Sequence, residues 1–401
     1  MAVGPSSTDH WVVPGVRLAS IACGIKDQDE LDLVLIEFAE GSQTAGVFTQ
    51  SVFAAAPVLV GRRHLAEASS RYFLINSGNA NAATGDAGVS DAEDCCLALS
   101  QATGAHPTQV VPFSTGVIGE RLQVGHIVDA LPRITAALTE DNWLKAAEGI
   151  MTTDTRPKIT SRRFEFNGTR VTLTGIAKGA GMIQPDMATM LAYVATDGVA
   201  TQDFLKAALT LAVEQSFNRI TVDGDTSTND SCMLTATGSS GLELSHADVS
   251  PVFQAELNSL MRELAQGIVR DAEGATKFVE ICVQGGRSTS DCLKIAYSIA
   301  NSPLVKTALF AGDANWGRIV MAVGKAGVDI DIGKVDVFVG SVQMMQGGGK
   351  HPGYTEAAGT AAMESEEITI TVDLNQGQAL ERVWTSDLSQ EYVVINAEYR
   401  T

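Results

Sequence analysis

One segment of the sequence could supply a nucleophile without help from histidine. Residues 178–197 read KGAGMIQPDMATMLAYVATD, so a glycine-flanked turn and a Pro-Asp pair lead to Ala188 and Thr189. If the backbone at Ala188 is strained, the Thr189 hydroxyl can attack the preceding carbonyl, and hydrolysis of the resulting ester frees a new N-terminus. Thr189 would then carry both nucleophile and base, because a free α-amine has a pKa of about 7.7 to 8.0. The same pattern is also typical of a glycine-rich turn that enters an apolar strand or helix.

Other chemical motifs fail at a required position. Residues 347–350 resemble a phosphate-binding loop, but His351 replaces the required Ser or Thr, which favours a turn. Residues 113–116 resemble a nucleophile elbow, but Pro112 stands where its first glycine should be. The loop that starts at residues 223–230 lacks the Gly and the Glu that an EF-hand requires. These residues predict either a turn stabilised by its own hydrogen bonds or a segment that contacts the active site. The six histidines are isolated from one another and from cysteine, so no metal site is predicted.

Composition narrows the class of protein. The chain of 401 residues is longer than one compact domain usually is, so we expect at least two lobes. Its 45% of hydrophobic residues indicates a folded protein. A net charge of −19 disfavours nucleic acid and anionic membranes as partners. Six scattered cysteines without a C-x-x-C pair are typical of buried thiols in a reducing compartment. With no signal peptide and no run of eighteen apolar residues, we expect a cytoplasmic protein.

Hydrophobic patterning predicts a mixture of strands and helices without continuous alternation of single strands and helices. Helices are predicted over residues 201–217, where Thr201 could cap the first turn, and over 252–271. A strand pair within residues 329–342 favours antiparallel pairing. Further strands are predicted over residues 33–38, 72–76, 110–113, 170–174, 368–373 and 392–396. The mixture indicates an α/β or α+β fold with layered helix, sheet, sheet, helix packing, in preference to a doubly wound Rossmann sheet.

Short motifs spread in order along the chain point to one family. They are VPG (13–15), AGVFT (45–49), NSGNANA (76–82), STGVIG (114–119), MTTDT (151–155), KGAGMIQPDMATML (178–191), SFNR (216–219), EGATK (273–277), NWGR (315–318) and NAEYRT (396–401). Together they closely resemble the ornithine acetyltransferases, also called glutamate N-acetyltransferases, of arginine biosynthesis. Those enzymes cut themselves and use an N-terminal threonine nucleophile. The resemblance runs from about Val13 to Thr401.

The resemblance implies an architecture and a cleavage site. The expected fold is an N-terminal-nucleophile-like sandwich with a smaller C-terminal α/β domain. A main catalytic lobe over residues 1–280 would be followed by a smaller lobe over 281–401 that closes the active site. Cleavage between Ala188 and Thr189 would give an α chain of residues 1–188 and a β chain of residues 189–401. The two chains would stay together, with two of each in the assembly.

The resemblance also implies a reaction. Thr189 would take the acetyl group of N2-acetyl-L-ornithine, release ornithine, and pass the group to L-glutamate, giving N-acetylglutamate by ping-pong transfer. Thr115 and Gly116 would stabilise the developing oxyanion. No cofactor or metal is expected, and acetyl-CoA stays open as a second acetyl donor. The implied substrate-binding residues are Thr152, Lys178, Thr189, Glu273, Asn396 and Thr401.

Two departures and three alternatives accompany the resemblance. Asp186 stands where the family usually has Asn, and its charge could alter self-cleavage or raise the pKa of the new amine. Ala314 replaces a common Pro, which indicates only a loop change. An N-terminal-nucleophile amidohydrolase or aminopeptidase would instead give the acyl group to water, and a paralogue would use another acceptor. A non-catalytic small-molecule binding protein would use the glycine-rich turns as anion nests and would stay uncut.

Overall fold

The computed structural model describes residues 2–26, 29–184 and 190–398. In chain order, strands β1 to β16 span Val16–Ile21, Leu33–Phe38, Gln43–Phe48, Tyr72–Asn79, Val110–Val117, Lys158–Phe166, Thr169–Lys178, Leu191–Thr196, Ile220–Thr221, Ser231–Ala236, Phe278–Gly286, Asp336–Val339, Val342–Gln346, Gly349–Lys350, Glu367–Asp373 and Ala379–Ser386. Helices α1 to α11 span Ala56–Glu67, Gly85–Thr103, Val124–Ala136, Trp143–Gly149, Gln202–Glu214, Ser250–Arg270, Thr289–Ala300, Pro303–Phe310, Trp316–Gly324, Glu356–Ala362 and Gln390–Glu398.

The described residues form two compact units. The larger unit takes its residues from 7–218 and 226–268, and the smaller unit takes its residues from 2–6, 219–225 and 269–398. The lobe boundary predicted at residue 280 stays a prediction. Across the part of the chain that the structure describes, no helix combines the length and the apolar character needed to cross a bilayer.

Two sheets pack face to face in the larger unit. Within the described residues, one has the order β1-β2-β4-β5 and the other the order β3-β10-β8-β7-β6. Their inner faces bury Ile36 and Phe73 from the first sheet with Ile176 and Tyr193 from the second. The ring of Phe113 on β5 meets that of Tyr193 on β8 edge to face, with centroids 5.1 Å apart. Apolar burial between the sheets therefore holds them together.

Helices cover the outer faces of both sheets. On the first sheet, Leu99 of α2 and Ile127 of α3 pack against Leu35 and Leu74. On the second sheet, α5 packs on β3 and β10. A Cβ built at Gly175 of β7 would lie 2.9 Å from the Leu260 side chain of α6, so this helix packs closely on the sheet. The predicted helix, sheet, sheet, helix layering is confirmed.

The smaller unit is a second α/β assembly. Its described strands form one sheet in the order β14-β13-β12-β15-β11-β16-β9. Ile281, Val337 and Ile370 of this sheet are fully or almost fully buried beneath Ile295 of α7 and Ile319 of α9. This unit has its own hydrophobic core, as the predicted smaller α/β domain requires.

Most of the predicted elements are present. Strands β2, β4, β5, β7 and β15 cover the predicted segments, and β12 pairs antiparallel with β13. The helix predicted over residues 201–217 is α5, and the Thr201 side chain accepts a hydrogen bond from the Phe204 amide as the expected cap. The glycine turn at residues 347–348 connects β13 with β14.

The strand predicted over residues 392–396 is wrong, because these residues belong to α11. The Asn396 side-chain amide donates a hydrogen bond to the Tyr392 carbonyl one turn earlier (2.9 Å), and the Ser389 hydroxyl accepts from the Tyr392 amide. Val393 and Val394 are exposed, so they have no sheet face to pack against. Local helical hydrogen bonds therefore override the β-branched composition.

Truncating Phe73 tests the packing between the two sheets. Phe73 is 1% exposed, and its ring centroid lies 5.8 Å from that of Tyr193 on the other sheet. We expect Phe73→Ala to lower the free energy of unfolding by about 3 to 5 kcal/mol, measured by urea denaturation with circular dichroism. The control Phe53→Ala removes a ring that is 71% exposed and should change stability by about 0.5 kcal/mol or less. Equal losses in the two variants would contradict this packing.

Candidate active site

The two predicted oxyanion donors lie at the end of β5. This strand pairs in parallel with β4, and Thr115 and Gly116 lie beside Ser77 and Gly78. Gly116 has a φ of 130°, and a Cβ at this position would lie 2.3 Å from the Gly78 carbonyl carbon. Only glycine fits at position 116, because any side chain would clash with β4. The missing side chain also leaves room for a ligand to approach the Gly116 backbone.

Lys178, the last residue of β7, orients the hydroxyl of Thr115. Its Nζ donates a hydrogen bond of 2.9 Å to Thr115 Oγ1, and both residues are less than a tenth exposed. An ammonium group can only donate, so Thr115 Oγ1 accepts and keeps its own hydrogen for another acceptor. Such a preset donor is what an oxyanion hole requires. The structure thus brings together two residues that the resemblance placed in one site.

Asp154 is a site residue that the sequence reasoning missed. Its Oδ2 accepts a hydrogen bond from the Thr152 amide (3.0 Å), and its Oδ1 accepts from the Gly179 amide (2.7 Å) and pairs with Lys158 Nζ. Burial alone would raise the pKa of Asp154, but Lys158 and Lys178 outweigh it and hold the pKa below its ordinary value. This charged carboxylate therefore fixes two backbone amides: that of Thr152, and that of Gly179, which directly follows Lys178. Its only sequence signal is its position in the same MTTDT motif as Thr152.

Lys26 is a second cation near Lys178 that the sequence reasoning also missed. Its Nζ donates a hydrogen bond of 2.7 Å to the Met151 carbonyl, directly before Thr152. Burial lowers the pKa of Lys26, and the positive charge of Lys178 lowers it further, whereas the nearby carboxylate of Asp32 raises it. The backbone amides of residues 23–26 all donate to the Asp32 carboxylate, which holds this loop in place.

The strand that follows the predicted cleavage site lies next to this group. Lys178 of β7 pairs in antiparallel register with Leu191, the first residue of β8. Met190 precedes that strand, and its amide donates a hydrogen bond of 2.9 Å to Asp230 Oδ1. The predicted cleavage residues Ala188 and Thr189, together with Asp186, lie outside the described residues.

Two further predicted binding residues, Glu273 and Asn396, belong to the smaller unit. Glu273 is 8% exposed, and its Oε2 accepts a hydrogen bond of 2.7 Å from the Asn396 side-chain amide. Gly274 has a φ of 67°, and a Cβ there would lie 2.7 Å from the Tyr392 amide nitrogen, so only glycine allows this close approach of α11. Glu273 and Asn396 thus contact each other, whereas Thr401 lies outside the described residues.

Comparison with known proteins identifies the family. The family model described as the ArgJ family matches residues 17–401. The chain belongs to the ArgJ family. This confirms the resemblance drawn from the motifs, and with it the expected class of enzyme, an acetyltransferase of arginine biosynthesis.

Individual relatives match over their whole length. The arginine biosynthesis bifunctional protein ArgJ of Pseudomonas fluorescens is 50% identical over 406 residues, which cover 100% of both chains. The protein of the same name from Psychrobacter arcticus is 51% identical over 408 residues, again 100% of both chains. A crystal structure of the protein of that name from Bacillus halodurans is 37% identical and covers 51% of this chain and 96% of that chain, with a TM-score of 0.48.

Replacing Asp154 tests the buried charge cluster. We expect Asp154→Asn to lower the free energy of unfolding at pH 6 by about 3 to 5 kcal/mol, because a buried cation loses its carboxylate partner. Since the folded-state pKa of Asp154 is lowered, its contribution is present above the unfolded pKa of about 3.9 and is lost as the pH falls through the folded pKa. Urea denaturation should therefore show a difference between the two proteins that is unchanged from pH 6 to about pH 5 and is smaller, but not abolished, at pH 3.

Asp248 is the matched control for this substitution. Its side chain is 76% exposed, so Asp248→Asn should be within about 0.5 kcal/mol of the unmodified protein at both pH values. A difference between Asp154→Asn and the unmodified protein that stays constant with pH would show that Asp154 is not the charged group described above.

Proposed function

We propose that the chain cuts itself between Ala188 and Thr189 and then transfers an acetyl group from N2-acetyl-L-ornithine to L-glutamate through an acetyl-threonine intermediate. The contact between Lys178 Nζ and Thr115 Oγ1 carries this proposal. It joins the implied oxyanion donor to the implied binding lysine, beside the first residue of β8. That strand begins two residues after Thr189.

In the first half-reaction, the free α-amine of Thr189 accepts the proton of its own hydroxyl as Oγ1 attacks the acetyl carbonyl. The Thr115 hydroxyl and the Gly116 amide donate hydrogen bonds to the developing oxyanion. As the intermediate collapses, the C–N bond breaks, ornithine leaves with the proton, and the acetyl group remains as an ester on Thr189. In the second half-reaction the neutral amine of glutamate attacks the ester carbonyl, the C–Oγ1 bond breaks, and N-acetylglutamate leaves as a proton from that amine returns to Thr189 Oγ1 by way of the Thr189 α-amine.

Charge complementarity supports amino-acid substrates. In the larger unit, the ammonium groups of Lys178 and Lys26 suit a carboxylate, and the Asp154 anchor fixes Thr152 beside them. In the smaller unit, the carboxylate of Glu273, held by Asn396, suits an ammonium group. Both substrates carry one α-carboxylate, and free glutamate and ornithine carry an α-amine as well. We propose that no cofactor takes part, because Thr189 itself would carry the acetyl group.

Intact mass under denaturing conditions tests the self-cleavage. We expect the purified protein to give two chains, of 188 and 213 residues, and Thr189→Ala to give a single uncut chain. Acetylornithine carrying a labelled acetyl group should then label the 213-residue chain and release ornithine without glutamate present. A single full-length chain in both proteins would contradict the proposal.

The acceptor is tested by adding glutamate to the labelled enzyme. We expect the label to leave as N-acetylglutamate, whereas label released as acetate at the same rate without glutamate would identify a hydrolase. Replacing acetylornithine with labelled acetyl-CoA in the same assay separates an enzyme with two acetyl donors from an enzyme with one.

Substitutions of Thr115 test the oxyanion donor. We expect Thr115→Val, which keeps the shape but removes the hydroxyl, to lower kcat by about 10² to 10³-fold. Thr115→Ser keeps the hydroxyl and serves as the matched control, with kcat expected within about tenfold of the unmodified enzyme. Steady-state kinetics of ornithine release measure both variants. Equal activity in the two would exclude a role for the hydroxyl.

A further inference from the structure

Asn229 connects the turn before β10 to the strand that carries the oxyanion donors. Its Nδ2 donates hydrogen bonds to the Ser114 carbonyl (2.8 Å) and to the Ala80 carbonyl (2.6 Å). Ser114 directly precedes Thr115 on β5. Asn229 is 7% exposed, so these bonds form away from water, where each is costly to lose. An aspartate here would oppose two carbonyl oxygens, so the side chain has to be a donor.

Asp230, the next residue, connects the same turn to the strand that follows the predicted nucleophile. Its Oδ1 accepts the hydrogen bond from the Met190 amide, 2.9 Å away. The Ser231 amide also donates to the Met190 carbonyl at 3.1 Å, so the backbone N–H and the backbone C=O of Met190 are both hydrogen-bonded. Beyond this point β8 and β10 run in parallel, with Leu191 beside Ser231.

The two contacts join different sheets. Strand β5 is the edge of the first sheet, whereas β8 and β10 are neighbours in the second. The Thr49 hydroxyl donates to the Ser227 carbonyl (2.8 Å), and the Ala55 amide donates to the Thr228 carbonyl (2.8 Å), so the turn itself is held from outside. Two adjacent side chains of this turn therefore connect β5, which carries the oxyanion donors, to Met190 at the start of β8.

The Asp230 carboxyl differs from an ordinary ion-pair partner. The residue is 1% exposed, so its carboxyl lies away from water, with the Met190 amide on Oδ1 and the Ser227 side chain nearby. Burial raises the pKa of Asp230 well above its ordinary value, and the Met190 amide and Lys178 offset only part of this effect. A neutral carboxyl keeps Oδ1 as an acceptor for the Met190 amide without burying an uncompensated charge.

We propose that Asn229 and Asp230 form a positioning pair that fixes Met190, the residue after the proposed nucleophile in the sequence, relative to the strand that carries the oxyanion donors Thr115 and Gly116. The inference rests on the proposed function, and it adds a role for a polar turn with no catalytic assignment. Neither residue exchanges a proton with substrate. Each acts through a backbone group, Asn229 through the Ser114 carbonyl and Asp230 through the Met190 amide.

The first test is Asp230→Ala, which removes the acceptor of the Met190 amide. A misplacement of about 1 Å at a reacting centre costs about 10²-fold in rate, so we expect self-cleavage and kcat each to fall by about that factor. KM for acetylornithine should change less than about threefold, because the residues proposed to bind substrate are untouched. Cleavage is followed by intact mass against time, and transfer by ornithine release.

Asp197, which directly follows β8, provides a matched control. It is also a buried aspartate that accepts one backbone hydrogen bond, from the Thr172 amide at 2.8 Å, and burial raises its pKa too. We expect Asp197→Ala to lower the melting temperature about as much as Asp230→Ala, with kcat within about threefold of the unmodified enzyme. If the two variants lose activity in proportion to their loss of melting temperature, the role of Asp230 is structural and the proposal fails.

Asp230→Asn separates positioning from proton transfer. The amide keeps an oxygen acceptor for Met190 but cannot act as an acid or base near neutral pH. We expect it to restore cleavage and kcat to within about fivefold of the unmodified enzyme, with an unchanged pH profile of kcat between pH 6 and 8. An Asp230→Asn protein as slow as Asp230→Ala would overturn the proposal, because the carboxyl proton would then be required.

Asn229→Asp completes the test from the other side of the pair. It keeps the size of the side chain but places acceptors against two carbonyl oxygens, and we expect a loss of kcat of about the size seen in Asp230→Ala. Unchanged kcat in Asn229→Asp would also overturn the proposal. If the unmodified protein does not cut itself, the proposed function fails; if it cuts itself and Asp230→Ala cuts at the same rate, only the positioning pair fails.

Discussion

Burial of lysine ammonium groups around one carboxylate is the constraint on which the larger unit's site depends. Lys158 and Lys178 are both about one-twentieth exposed, and each would be costly to remove from water without a compensating charge. Asp154 supplies that charge and accepts hydrogen bonds from the Thr152 and Gly179 amides. The geometry of the Lys178 contact with Thr115 therefore follows from where Asp154 lies.

The fold was predictable where burial and local propensity agree. Segments such as β2 and β15 are rich in β-branched and apolar residues and also lie in sheets with a buried face, so composition and structure coincide. In α11 the two disagree, because Val393 and Val394 are exposed and no sheet face covers them. A single sequence does not show which side of a short apolar run will be buried, and this is why the prediction of a strand over residues 392–396 was wrong.

The site was predictable only as far as motif resemblance reached. Resemblance named Thr115 and Lys178, which are 63 positions apart yet share a hydrogen bond. It did not name Lys26, whose contact with the Met151 carbonyl spans 125 positions, or Asp154, whose neighbours in the chain gave no sign of a buried lysine pair. Spacing along the chain carries no information about such contacts, because they arise from strand order and sheet packing.

The overall charge of the chain gives the local cations a second role. A protein with a net charge of −19 repels anionic amino acids at long range, and glutamate, the proposed acceptor, is itself an anion. Long-range repulsion is screened within about 8 Å at physiological ionic strength, whereas interactions in a buried cluster are screened much less. Lys178 lies close enough to Lys26 for its positive charge to lower the pKa of Lys26. Lys26 is partly buried and Lys178 is buried, so we expect the attraction of an anionic substrate to depend on these two lysines and not on net charge.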